Sequence, residues 1–166
     1  SRTVSVGHGF VTLAAAQAAK AGADFQDVAQ AARELVPKMD VFFAVDTLEY
    51  LHRGGRIGGA SFMIGSALSI KPVLQVNEGL IDSMARVRTK KKALNYLVDL
   101  AVERYQGKNN IHLAVVDAVS PEEARLLGQE LEKRLKPVEI IYSELSPVVG
   151  THGGPGTVGF GGYYES

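Results

Sequence analysis

Asp46-Thr-Leu-Glu-Tyr-Leu-His-Arg-Gly-Gly-Arg-Ile-Gly-Gly59 is the stretch on which the reading of this chain turns. It follows a short apolar run, Val41 to Val45, that reads as a strand. Asp46 or Thr47 supplies a helix N-cap, and Glu49 stands three residues after Asp46, where a capping box places its acid. The helix is allowed about two turns before Gly54-Gly55 offers the backbone freedom to end it. Arg56 then sits between two glycine pairs. Open backbone N–H groups beside a guanidinium suit an anion, and the guanidinium fork binds two oxygens of a carboxylate or phosphate together. The same composition also describes a tight turn with a surface arginine, and spacing alone leaves both readings open.

Upstream, Thr3 to Val6 reads as a short strand and Gly7 to Gly9 as a turn. An alanine-rich helix then covers Val11 to Ala21 and ends at Gly22. Asp24 caps a second helix, whose Phe25, Val28, Ala32, Leu35 and Val36 share one face, and Pro37 closes it. Downstream, the apolar segment Ala60 to Ser69 reads as a buried helix, either plain core or one wall of a ligand channel. Lys71 to Val76 and Leu80 to Val87 form a hairpin around Asn77-Glu78-Gly79. Thr89 caps a helix with Leu94, Leu97, Val98, Ala101 and Tyr105 on one face. Ile111 to Val116 is a strand. Ser120-Pro121-Glu122-Glu123 starts a helix with cap, N1 proline and capping-box glutamate, and Pro137 ends it. Val138 to Leu145 is a further strand, and Thr157 to Tyr164 a last, glycine-rich one. The strand–helix–strand unit beside an antiparallel hairpin predicts an α/β (α+β) fold, a mixed sheet of about six strands with helices packed on it.

Composition narrows the function classes. Hydrophobic residues make up 46% of the 166, enough for a core. Lysine plus arginine and aspartate plus glutamate number 18 each, so no overall field draws the chain to nucleic acid. The basic run Arg86 to Lys92 lacks interleaved aromatics and reads as a solvated helix start or a docking surface for an acidic partner. The absence of cysteine removes disulfides and thiol chemistry. No apolar run approaches the roughly 20 residues of a membrane-spanning helix. The four histidines show no metal spacing. His8, His52 and His112 take no role, whereas His152 opens a loop, Gly153-Gly154-Pro155-Gly156, as either a solvent-exposed or a ligand-contacting residue. The first residues, Ser1 to Gly9, read as chain cut from something longer.

Three segments in order carry a family likeness. They are Asp46-Thr47-Leu48 through Gly54-Gly55-Arg56-Ile57-Gly58, then Ile70-Lys71-Pro72-Val73-Leu74, then Thr151-His152-Gly153-Gly154-Pro155-Gly156. Together they resemble the motifs of the DegV family of bacterial fatty-acid-binding proteins, and the resemblance spans the whole chain. It implies that residues 1–40 are the helical C-terminal remnant of a first DegV domain and residues 41–166 the second DegV domain. His152 and Arg56, with Thr151 and Gly55 beside them, are expected to hold a fatty-acid carboxylate. Ile57, Phe62, Met63, Leu68, Ile70 and Val73 are expected to line the acyl tunnel. The family's first-domain hydroxyl motifs are not found, which leaves the head-group site open on one side. The resemblance implies a cytoplasmic carrier without chemistry or cofactor of its own, which binds an acid such as palmitate or oleate. The carrier presents the carboxylate to the catalytic subunit of a separate fatty acid kinase, touches membranes transiently and binds no nucleic acid. The residues alone also admit an enzyme acting on a small phosphorylated or carboxylated metabolite through the Gly54–Gly59 loop, and an interaction module that docks a partner through Arg86–Lys92.

Overall fold

The chain alternates helices and strands in the order α1 (Val6–Lys20), α2 (Phe25–Leu35), β1 (Asp40–Ala44), α3 (Glu49–Arg53), β2 (Lys71–Asn77), β3 (Leu80–Val87), α4 (Lys90–Tyr105), β4 (Ile111–Ala118), α5 (Pro121–Leu135), β5 (Glu139–Glu144), α6 (Pro147–Gly153) and β6 (Thr157–Tyr164). This computed structural model describes residues 1–63 and 70–165. The six strands form one mixed sheet in the order β3-β2-β1-β6-β4-β5. All neighbours are antiparallel except β4 and β5, which run parallel across the α5 crossover. The last strand therefore lies in the middle, between β1 and β4.

Period-two alternation sends successive side chains of each strand to opposite faces. Phe42, Ala44, Leu113, Val115, Val158 and Phe160 meet α4 and α5 on one side in a single large core. The other face is covered in pieces. α1 and α2 cover β4 and β6 through Phe10, Val11, Leu35 and Ala114, with the Phe10 and Tyr163 rings edge-to-face at 5.3 Å. Near β1 and β2, Val45, Leu48, Leu51, Ile57, Ala60, Met63 and Leu74 form a separate cluster. The helix starts obey local chemistry: Asp24 accepts from the N–H groups of Gln26 and Asp27, and Thr89 from that of Lys92.

Four local expectations change. Thr3 to Val6 is not a strand, because α1 already begins at Val6 and carries Gly7 and Gly9 inside it. Gly7 is accommodated because the Thr3 hydroxyl and Val41 occupy the space a Cβ would need. Ser120 makes no side-chain cap; the Asp117 carboxylate instead accepts from the Ser120 N–H at 2.8 Å. The described part of the Ala60–Ser69 segment is a 3₁₀ turn, Gly58–Met63, and the remainder lies outside the described residues. Thr151 to Gly153 belong to α6 rather than to a loop.

Candidate functional site

Between the two small clusters on the divided face lies an open cleft of about 540 Å³, inside the size range of small-molecule sites. Its floor is sheet: Val41 and Phe43 from β1 and Val116 from β4. Leu51, Gly55 and Arg56 line it from the end of α3, Leu80 and Ile81 from the hairpin, and Val148, Val149 and His152 from α6. The lining is dominated by carbon, and the polar side chains among it are few.

The Arg56 wall is built by the way α3 ends. Leu51 is buried and anchors the short helix, and Thr47 accepts from the Glu49 N–H at its start. At its end Gly55, at φ +65°, donates to the His52 carbonyl and Arg56 donates to the Leu51 carbonyl, the paired bonds of a Schellman turn. The backbone N–H groups of Gly55 and Arg56 are therefore committed to closing the helix. The expectation of open N–H groups is corrected at these two residues. The Arg56 side chain stays exposed, giving one N–H to the Gly54 carbonyl at 2.9 Å.

His152 packs directly against this loop. Its ring lies so close to Gly54 that any Cβ there would run into the imidazole. The His152 Nδ1 is shut away from solvent and makes no hydrogen bond, a state that ordinarily costs a buried polar atom about 1–3 kcal/mol. Glycine at position 54 is thus a condition for the two motifs to meet. Tyr50 packs in the same way against Gly154, where a side chain would strike its ring.

The structure brings Arg56, Gly55 and His152 to one cleft. Thr151 is not with them. Its hydroxyl is turned onto its own helix, donating to the Pro147 carbonyl at 2.7 Å, and it borders a separate groove with Tyr50, Val119 and Glu144. The expected tunnel residues are placed elsewhere. Ile57 and Met63 are buried in the second cluster, and Val73 faces the main core. Phe62 is 66% exposed under the Arg86 guanidinium. Ile70 is half-buried just ahead of β2 and is not among the residues that line the cleft. Leu68 lies outside the described residues. The apolar lining comes instead from Val41, Phe43, Val116, Leu145, Val148 and Val149. The signal for the last two was present: Ser146-Pro147 is a helix start, with proline at its first positions.

The charged groups nearby are structural. Asp46 pairs with Lys71 and Lys90 at 3.2 and 2.9 Å. Among the described residues, no group of histidine and carboxylate side chains can hold a metal ion, and no helix is long and apolar enough to cross a membrane.

Residues 1–165 match the sequence profile described as "Uncharacterised protein, DegV family". A DegV domain-containing protein of Streptomyces coelicolor is 38% identical over 157 residues, 94% of this chain and 56% of that protein. Another, from Clostridium acetobutylicum, is 36% identical over 99% of this chain and 58% of its own length. The fold superposes on a DegV family protein from Thermus thermophilus, whose structure is described as one of fatty acid binding. The TM-score is 0.92 at 33% identity, covering 99% of this chain and 59% of that one. DegV of Bacillus subtilis, described as a fatty acid binding protein, gives a TM-score of 0.85 at 32% identity over 99% and 58%. The chain thus spans a little over half the length of the relatives it matches. On sequence and on fold, the chain belongs to the DegV family.

Proposed function

We propose that the protein binds a long-chain fatty acid, with the tail in the cleft over β1 and β4 and the carboxylate between Arg56 and His152. The observation that carries this reading is an apolar cleft with an uncommitted imidazole and an exposed guanidinium in its lining. A fatty acid needs both parts. Its tail gains about 0.8 kcal/mol for each CH₂ removed from water. Its head must keep charge-assisted hydrogen bonds when it leaves solvent. The described fatty-acid binding of the Thermus and Bacillus proteins supports the same ligand class.

The bound acid is then offered, carboxylate outward, to a separate fatty acid kinase that phosphorylates it; the protein itself acts as a carrier in the cytoplasm. The exposed side of Arg56 is consistent with a head group that a second protein can reach. The reading as an enzyme of small phosphorylated metabolites is weakened, since the N–H groups of Gly54, Gly55 and Arg56 close a helix and the cleft lining is apolar.

Mass spectrometry of gently purified protein tests the proposal. A co-purifying long-chain acid is the expected result, and His152→Ala and Arg56→Ala are each expected to weaken its binding while the fold persists. Failure to retain or take up palmitate or oleate overturns it.

A further inference from the structure

The three segments that carry the family likeness converge on one carboxylate that the fatty-acid reading leaves unused. Asp46 opens the first of them, two residues beyond β1. Its Oδ1 accepts from Lys90 Nζ at 2.9 Å and pairs with Lys71 Nζ at 3.2 Å. Lys71 belongs to the second segment and also reaches the Asp46 carbonyl at 3.5 Å. Lys90, the first residue of α4, donates in addition to the carbonyl of Gly156 in the third segment. Gly156 itself lies against Asp46, and a Cβ there would run into the carboxylate. A strand end, a helix start and the loop leaving α6 are thus tied to the residue from which the Arg56 loop departs. Burial disfavours a charged Asp46, but the ammonium groups of Lys90 and Lys71 outweigh it and hold the carboxyl below its ordinary value.

We infer that Asp46, Lys71 and Lys90 are positioning residues for the head-group site. They fix the separation between the Arg56 loop and the helix bearing His152, and so set affinity for the carboxylate end of the ligand and not for its tail. None of the three lines the cleft, so their effect reaches the ligand through Arg56 and His152. The inference rests on the fatty-acid reading.

Two ligands with one tail and different ends test it: laurate and dodecan-1-ol, measured on the wild-type protein, Lys90→Met and Lys90→Arg. Lys90→Met is expected to weaken laurate about tenfold and dodecan-1-ol less than about twofold, the scale of one charge-assisted contact. Lys90→Arg keeps a cation on Asp46 and is expected to restore most of the laurate affinity. A purely structural role predicts a lower Tm with equal losses on both ligands; that result, or unchanged laurate binding, overturns the inference. Should Lys90→Met fail to fold, Asp46→Asn gives the same comparison with the side-chain shape kept. A wild-type protein that binds neither ligand sinks the fatty-acid reading and this inference with it. A wild-type preference for laurate that survives in the variants sinks the inference alone.

Discussion

Against α4 and α5 the sheet buries Tyr105, Phe160, Leu97, Leu113, Leu127 and Leu131 completely in one continuous cluster. The opposite face holds two smaller clusters, with the cleft between them. The difference is one of purpose. A face packed at crystal density gains every dispersion contact open to it and leaves no room for a ligand. A face with an open cleft forgoes those contacts and keeps atoms such as the His152 Nδ1 uncommitted. Stability is concentrated on one side of the sheet, which leaves the other open for the proposed ligand.

The most severe test removes volume from the filled face. Leu97→Ala is expected to cost about 3 kcal/mol in denaturant melts, with fatty-acid affinity per folded molecule unchanged; a parallel loss of affinity breaks the division of labour. Next comes Gly54→Ala, whose methyl group must push His152 aside. Calorimetry is expected to show fatty-acid binding weakened by about 1.5 kcal/mol, at little change in Tm.

A third test is the acid limb of stability, where two carboxylates pull in opposite directions. The Asp46 contribution is complete above the ordinary value of 3.8 and is lost as pH falls through its lower folded value. Because this side chain is 41% exposed, solvent screening limits the contribution to under about 1 kcal/mol. Asp40 runs the other way. Burial beside the main core raises its carboxyl, and Arg104 with the Tyr105 hydroxyl draws it only part of the way back. Its contribution is therefore complete below 3.8 and lost as pH rises through the folded value. Asp46→Asn should flatten the acid limb, and Asp40→Asn should leave neutral-pH stability equal or higher. Melts at several pH values show which sign each carries.

The smallest effect concerns Val119, a β-branched residue held at φ +55° where β4 turns into α5. Val119→Gly is expected to stabilise the filled face by about 0.5 kcal/mol after the entropy cost of glycine is deducted, and to leave ligand affinity alone.

Much of the fold could be read from the residues because it is locally encoded. The β2–β3 hairpin follows from Asn77-Glu78-Gly79, the α4 start from Thr89 and the α2 start from Asp24. The failures have causes that hydrophobic spacing does not show. Gly7 argued for a turn, but it sits inside α1 because Thr3 and Val41 fill the space a Cβ would need. At Ser120 the Asp117 carboxylate, three residues back at the end of β4, takes the N–H that a capping-box glutamate would reach. Arg56 and His152 stand out in the sequence because their motifs are unusual, and both line the one cleft. The apolar lining was not, since hydrophobicity marks a residue as buried without saying on which face. Val73 and Leu74 are adjacent and both fully buried, yet they belong to different clusters.

The central place of β6 has a consequence for how the molecule assembles. β3, β2 and β1 make one antiparallel sub-sheet and β4 with β5 a parallel pair, and only β6 joins them. Its partners along the chain lie more than a hundred residues away on one side, Asp40 pairing with Gly162. Contacts of such long range slow folding. Two half-sheets with open inner edges must persist until this strand inserts, and exposed edges of that kind invite pairing with other chains. During synthesis, protection against aggregation is therefore needed until β6 has emerged.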